Sequence, residues 1–319
     1  MSSVLNQFRN FPPFLKLLFL LMLSITGMIL VTLIGLLIAL PFYGVDSLSV
    51  LTGEYDLSNP VHLALLKYMQ IISHFGMFIF PALLFAKIFE NGGRKFFLTR
   101  NRISVPLLLM GGFVMVLMLP FVNFLGDINS NMHLPESMKT LENWMQTSEQ
   151  TAEKIVLAFV SQTEWYALII NLFMIAIVPA VGEELIFRGI LQRKLNQWFG
   201  NVHVAVFVSA FIFSAIHMQF YGFLPRLFLG MLLGYLFVWT GSLWVPIFAH
   251  FVNNGLAVLV AWMNASGFIA DDLDSLGNYS DSWGHMLLLS FMAFAMLLFF
   301  RYVNKKANPY FGLLRKENT

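Results

Sequence analysis

Pro179-Ala180-Val181-Gly182-Glu183-Glu184-Leu185-Ile186-Phe187-Arg188-Gly189 is the stretch that decides how this chain is read. It sets two adjacent carboxylates and a guanidinium directly after an apolar run, Trp165 to Val178. Ionisable groups at the end of a membrane span are costly unless they are paired, hydrated or put to use. If the helix continues through this point, Glu184 and Arg188 stand one turn apart, acid before base, in the favourable order. That pairing leaves Glu183 as a separate carboxylate on a neighbouring face. Two carboxylates of which only one is neutralised locally are what acid–base chemistry requires. The competing interpretation is a snorkelling, salt-bridged helix start at the membrane surface.

The surroundings of this stretch are apolar throughout. The chain has 319 residues, of which 58% are hydrophobic and 11% charged, with a mean hydropathy of +0.73. Soluble domains carry roughly 25% charged residues, so this is an integral membrane protein. A net charge of +2 gives no ground for nucleic-acid binding. With no cysteine, disulfides, thiolate nucleophiles and Cys-ligated metals are excluded, and a metal would need His and carboxylate ligands.

A spanning helix needs about 20 apolar residues. Eight runs qualify: Phe14–Leu40, His62–Phe89, Val105–Leu125, Ile155–Val178, Val202–His217, Leu224–Thr240, Leu243–Met263 and His285–Val303. The fifth and sixth are short enough to be tilted or partly re-entrant. The first is too long for a signal-peptide core and is read as a retained span. The expected architecture is therefore an all-α membrane bundle of about eight transmembrane helices, forming one polytopic domain over 1–319.

The connections alternate in charge. Basic residues fall at Arg9 and Lys16, at Arg94, Lys95, Arg100 and Arg102, at Arg188, Arg193 and Lys194, and at Lys305, Lys306, Arg315 and Lys316. Acidic ones fall at Asp46, Glu54 and Asp56, at Asp127, Glu136, Glu142, Glu149 and Glu153, and at Asp271, Asp272, Asp274 and Asp281. The positive-inside rule then places both termini in the cytoplasm, as an even number of spans also requires. The expected location is a bacterial plasma membrane. Residues 1–125 carry the additional N-terminal spans, and 126–154 read as an extracytoplasmic loop in which Pro135-Glu136 marks a helix start. Beyond the glutamates, Glu184, Arg188, Gln192 and Asn196 recur at four-residue steps, with Leu191, Leu195, Trp198 and Phe199 nearer the other side. This pattern predicts a helix over 185–199 lying along or dipping into the cytoplasmic interface. Gly230 and Gly234, spaced G-x-x-x-G, would let the sixth span approach a neighbour closely.

Few other strongly polar side chains interrupt the apolar second half. His217 ends Phe213-Ser214-Ala215-Ile216-His217, and His250 and Asn254 share one helical face. Singly, each reads as an interhelical hydrogen-bonder. Together they form a coherent set of carboxylate, two imidazoles and a carboxamide, sufficient to activate a water and hold an oxyanion. His62, His74, His133, His203 and His285 are assigned structural or interfacial roles. One difficulty stands in the way of a common site. At about 1.5 Å per residue, His217 lies about 22 Å along its span from the cytoplasmic side and His250 only about 10 Å along its own. A tilt of the fifth span or a kink near Pro179–Gly182 is the favoured remedy, with glutamates placed deeper as the other.

These residues resemble the signatures of the CAAX protease and bacteriocin-processing family (CPBP, or Abi), which includes the type II CAAX prenyl endopeptidases. The family's E-E-x-x-x-R reads as Glu183-Glu184-Leu185-Ile186-Phe187-Arg188, its F-x-x-x-H as Phe213 to His217, and its H-x-x-x-N/D as His250 to Asn254. The run Thr240 to His250 also looks like the family's approach to its last motif. The resemblance covers about Ile155 to Met263, giving 155–263 as a CPBP-like catalytic core. It implies a bundle enclosing a cytoplasm-facing polar cavity, and peptide-bond hydrolysis near the membrane interface on a membrane-associated peptide or protein, with or without a lipid modification. Carried over residue by residue, it makes Glu183 the general base assisted by His217. His250 and Asn254 would hold the oxyanion, and Glu184 and Arg188 would position the base.

Two questions stay open on the sequence. Glu183, His217 and His250 also make a two-histidine, one-carboxylate set suited to zinc, with Glu184 as base. The H-E-x-x-H helix of common zinc proteases is missing, and a mechanism without cofactor is preferred. A non-catalytic protein serving bacteriocin immunity or an envelope scaffold ranks second, since fold resemblance alone does not decide activity. A proton-relaying transporter ranks third.

Overall fold

A computed structural model of the chain describes residues 2–44, 48, 52–53, 55–90, 96–97, 105–269 and 283–304. Asp46, Glu54, Arg94, Lys95, Arg100, Arg102, the Asp271–Asp281 cluster and the tail from Lys305 onward, used above for their charge, lie outside these residues, as does the His285 side chain. The described elements are helices: α1 Ser2–Arg9, α2 Pro13–Tyr43, α3 Pro60–Phe89, α4 Val105–Ser130, α5 Lys139–Val160, α6 Trp165–Phe199, α7 Val202–Ala215, α8 Phe223–Thr240, α9 Trp244–Ala265 and α10 Trp283–Asn304. No strand occurs among the described residues. Six segments are long and apolar enough to cross a membrane, namely α2, α3, α4, α6, α9 and α8 with the short turn before it. α7 and the Leu287–Tyr302 part of α10 are shorter apolar helices. The protein is an all-α, multi-pass integral membrane protein.

The apolar surface is turned outward as lipid demands. Leu21, Met22, Ile34 and Leu37 of α2 are exposed, while the small Gly27 and Gly35 face the bundle. A Cβ on Gly27 would fall 2.5 Å from the Gly76 carbonyl oxygen, so α2 and α3 cross backbone to backbone. Helix ends follow ordinary capping chemistry. Asn59 accepts from the Val61 N–H ahead of Pro60, and Asn201 accepts from the His203 and Val204 N–H groups. Gly200, at φ 64° in the left-handed region, ends α6 and lets the chain reverse directly into α7.

Two expectations are corrected here. The fourth span is not Ile155–Val178. Ile155 belongs to α5, a separate helix inside the stretch read as a loop and its sequel, and the span begins after the break at 161–164 and runs unbroken from Trp165 to Phe199. Its 35 residues reach about 52 Å, against about 30 Å of hydrocarbon. Nor is 185–199 a surface helix with its polar stripe in water. Glu184, Arg188, Gln192 and Asn196 are the buried face, each at most 4% exposed, while Trp198 and Phe199 are exposed. The stripe packs against α8, where the Gly230 and Gly234 carbonyls accept from Arg188 and Gln192. A Cβ on Gly230 would sit 3.0 Å from Ala210 of α7. The G-x-x-x-G spacing is therefore the slot through which α8 meets both α6 and α7.

Candidate active site

The site is built on two proline-adjusted helices. In α6 a π-helical turn, Leu172–Ile177, directly precedes Pro179. Proline has no N–H to give the carbonyl four residues back, and its ring crowds that carbonyl. A widened turn relieves the crowding, and such turns recur at functional sites. The carbonyl so deprived is that of Ile175, and it accepts instead from Asn254 Nδ2 at 3.1 Å. α3 repeats the device: a π-helical turn, Phe75–Ile79, precedes Pro81, and His74 stands immediately before it. Glu183 lies about 27 Å along α6 from Trp165 and about 24 Å from Phe199. The depth difficulty is thus resolved mainly by glutamates placed in the middle of a long helix, the remedy ranked second.

The Glu184–Arg188 pair implied by the spacing is present. Glu184 is fully buried, and its Oε1 accepts from Arg188 Nη1 at 2.6 Å and from His250 Nδ1 at 2.9 Å. Arg188 also donates to the Gly230 carbonyl at 2.8 Å and lies 5.0 Å over the Phe213 ring. Arg188, Glu184 and His250 therefore form a chain, and Glu184 fixes the imidazole with Nδ1–H toward itself and Nε2 toward Glu183.

Glu183 stands apart from that chain. Its Oε2 is 3.8 Å from His250 Nε2, and its Oε1 is 3.8 Å from Nε2 of His74. These distances exceed a direct hydrogen bond. Glu183 Oε2 and His74 Nε2 are buried with no direct hydrogen-bond partner. The His217 ring hydrogen-bonds the Phe213 carbonyl through Nδ1 at 2.7 Å. A carbonyl can only accept, so Nδ1 carries the proton and Nε2 is left as the free nitrogen. Asn254 is held at both ends: Oδ1 accepts from Asn253 at 3.1 Å, and one amide hydrogen goes to Ile175. Its second amide hydrogen is left for the cavity.

Glu183, His217, His250 and Asn254 line one cavity of about 430 Å³, with Glu184 and Arg188 packed behind it. His74, Gln70, Gln219 and Arg226 line it too. His74 was assigned a structural or interfacial role on sequence, and the structure places it against Glu183 in this cavity. The signal was available: Gln70 precedes His74 by four residues in an apolar span, the same spacing as His250 and Asn254. The remaining described histidines sit elsewhere, His62 on the Asp56 N–H, His133 on Glu142 and His203 on the Tyr235 hydroxyl. The zinc set Glu183, His217 and His250 does not assemble as a group of three metal ligands among the described residues. The imidazoles that approach Glu183 are His74 and His250.

Residues 165–256 match the family described as Rce1-like, type II CAAX prenyl endopeptidase Rce1-like. The chain is 35% identical over 101 residues to the membrane-embedded CAAX protease MroQ of Staphylococcus aureus (strain USA300), covering 30% of this chain and 40% of that protein. It is 33% identical over 89 residues to the putative membrane peptidase YdiL of Bacillus subtilis (strain 168), covering 27% and 34%. It is 31% identical over 90 residues to the uncharacterized protein YpbD of the same organism, covering 27% and 43%. The chain thus spans less than half the length of each of these relatives. No solved structure matches.

Proposed function

We propose that this chain, Rce1-like over residues 165–256, is a membrane-embedded endopeptidase in which Glu183 activates the attacking water without a metal. The observation that carries this reading is the Glu183 carboxylate, each oxygen 3.8 Å from a different imidazole Nε2. A carboxylate kept at such depth only to join helices would be expected to have direct partners, as Glu184 has.

In the proposed reaction Glu183 takes a proton from water as the oxygen adds to the scissile carbonyl carbon. The carbonyl π electrons move to oxygen, and the free amide hydrogen of Asn254 stabilises the negative charge there, joined by His250 when its Nε2 also carries a proton. Glu183 then returns its proton to the departing nitrogen as the C–N bond breaks, giving a carboxylic acid and an amine. His217 assists through its free Nε2. Glu184 and Arg188 act on the chemistry only through the orientation of His250. The substrate is a membrane-associated peptide or protein, with or without a lipid modification.

The test compares membrane peptides in cells carrying the wild-type chain or Glu183→Gln. Peptides cleaved in the first should accumulate uncleaved in the second, and turnover of such a peptide by purified protein should fall about 10²-fold or more. Wild-type turnover by a folded Glu183→Gln protein would overturn the assignment.

A further inference from the structure

Of the side chains that line the cavity around Glu183, one carries a fixed positive charge. Arg226 stands there among the neutral carboxamides of Gln70, Gln219 and Asn253 and the imidazoles of His74, His217 and His250. The proposed reaction gives it no part. Nor does its position favour a cation. Arg226 lies in the opening turn of α8, where the helix dipole repels positive charge and attracts negative. A guanidinium within a membrane bundle carries an insertion cost besides, and such groups are as a rule paired or in use.

Its pairing is incomplete. Arg188 shows what a structural guanidinium does in this fold, bound by Glu184, by the Gly230 carbonyl and by the Phe213 face. Arg226 has no acid within 4.0 Å among the described residues. Its hydrogen bond to them is from Nη1 to the Gln219 carbonyl, at 3.1 Å. Glu149 of α5 acts on it through space, but that carboxylate accepts from the Tyr221 N–H at 2.9 Å. A guanidinium has five N–H donors, and Nε and Nη2 of Arg226 are not sealed away from the cavity. Space is kept for the group: a Cβ on Gly222 would collide with Nη2, so the bare backbone there lets the guanidinium fold back beside the Gln219 carbonyl. It lies near enough to His217 to act on that ring electrostatically. A held but unfilled fork of donors thus shares the cavity with the Glu183 carboxylate.

We infer that Arg226 binds a carboxylate of the peptide that reaches Glu183, and so selects peptides that carry one. The planar fork matches the two oxygens of a carboxylate, which is the geometry in which guanidinium binds most specifically. Glu183, when ionised, repels a second carboxylate, so the two opposite charges of the cavity set which way round a peptide lies. The neutral carboxamides beside them can pair with peptide amides but do not select for charge. The carboxylate is either a free C-terminus or an aspartate or glutamate side chain, and the chemistry at Arg226 is the same for both. The inference rests on the peptidase reading for what becomes of the peptide, while the binding stands on the guanidinium and its surroundings.

The test measures binding in the full chain carrying Glu183→Gln, immobilised in detergent, so that bound peptides stay whole. Three pools of short peptides share the same mixture of apolar residues. The first ends in a free carboxylate, the second in an amide, and the third in an amide with one internal aspartate. Retained peptides are counted by mass spectrometry. The first or the third pool should be retained about 10–100-fold over the second, the worth of a charge-assisted bond, and adding Arg226→Gln should abolish that preference. Preference for the first pool identifies a C-terminus as the ligand, and for the third a side chain. Equal retention of the three pools, retention of none, or a preference that survives Arg226→Gln would overturn the inference. Thermal unfolding shows whether Arg226→Gln is folded. If it is not, Arg226→Lys decides: it keeps the charge without the fork and should lose most of the preference, and an unchanged preference would refute the role. No arm depends on turnover, so a peptidase assignment that fails on Glu183→Gln hydrolysis fails separately from this one.

Discussion

Replacing Glu184 by glutamine removes one negative charge and little volume, at a position where the structure leaves few ways to compensate. Arg188 is 1% exposed, and its guanidinium is bound by Glu184, by the Gly230 carbonyl and by the Phe213 face. Water cannot reach it to replace the lost carboxylate. Breaking a buried ion pair by removing one partner costs about 3–5 kcal/mol, because the other charge stays buried and uncompensated. With about 2–4 °C per kcal/mol for a chain of this size class, the melting temperature should fall on the order of 10 °C. Glu183→Gln offers the internal control. It removes a carboxylate with one oxygen unbonded, so stability should hold or rise while turnover is lost. Both are measured by thermal unfolding in one detergent, alongside hydrolysis normalised to folded protein. If Glu184→Gln melted with the wild type, Glu184 would not be neutralising a buried guanidinium. If Glu183→Gln melted as early as Glu184→Gln, Glu183 would be a structural partner and not a base.

Three further outcomes are expected. If the His74 Nε2 that faces Glu183 helps to hold the attacking water, His74→Gln should lower kcat about 10²-fold with an unchanged melting temperature; early melting with normal turnover would leave His74 a structural role. Asn254→Ala should cost about 10²–10³ in turnover through the oxyanion and also about 1 kcal/mol of stability, because the Ile175 carbonyl loses its donor; a purely structural Asn254 would show the second effect without the first. Purified active protein should carry no stoichiometric metal by elemental analysis and keep its turnover in chelator; one bound zinc per chain, lost together with activity, would put the metal set back in place.

Much of the site could be read from residue spacing because helices convert spacing into proximity. Glu184 with Arg188, and His250 with Asn254, are one turn apart, and α6 and α9 keep them so. The errors arose where hydrophobicity had to stand in for structure. α5 and α6 were run together at Ile155 because apolar residues on an amphipathic helix, Ile155, Val156 and Phe159, are continuous in composition with the span after it. The buried polar stripe of α6 was turned toward water because amphipathicity reports that two faces differ, and in a membrane either one can be the interior. The polar face here has partners, the α8 carbonyls, that no reading of 185–199 by itself can supply. The depth of the glutamates followed from the same mistake, since a span ending at Val178 leaves them at a surface.

The family match begins at residue 165, yet the surroundings of Glu183 are not complete without the spans before it. Gly182 precedes Glu183 and faces α3 with no room to spare: a Cβ there would lie 3.0 Å from Phe78 Cβ and 3.1 Å from Ile79 Cγ1. α6 and α3 can therefore approach this closely only because residue 182 has no side chain. That approach carries the His74 ring, packed 4.4 Å from Phe78, to within 3.8 Å of the carboxylate. α4 contributes Met115 to the opposite wall of the same cavity. The signature residues of α6, α7 and α9 thus supply the carboxylate, two imidazoles and the amide, while α3 closes the fourth side with a histidine from outside the matched segment. A fragment cut to 165–256 would keep every motif and still leave one oxygen of Glu183 without its imidazole.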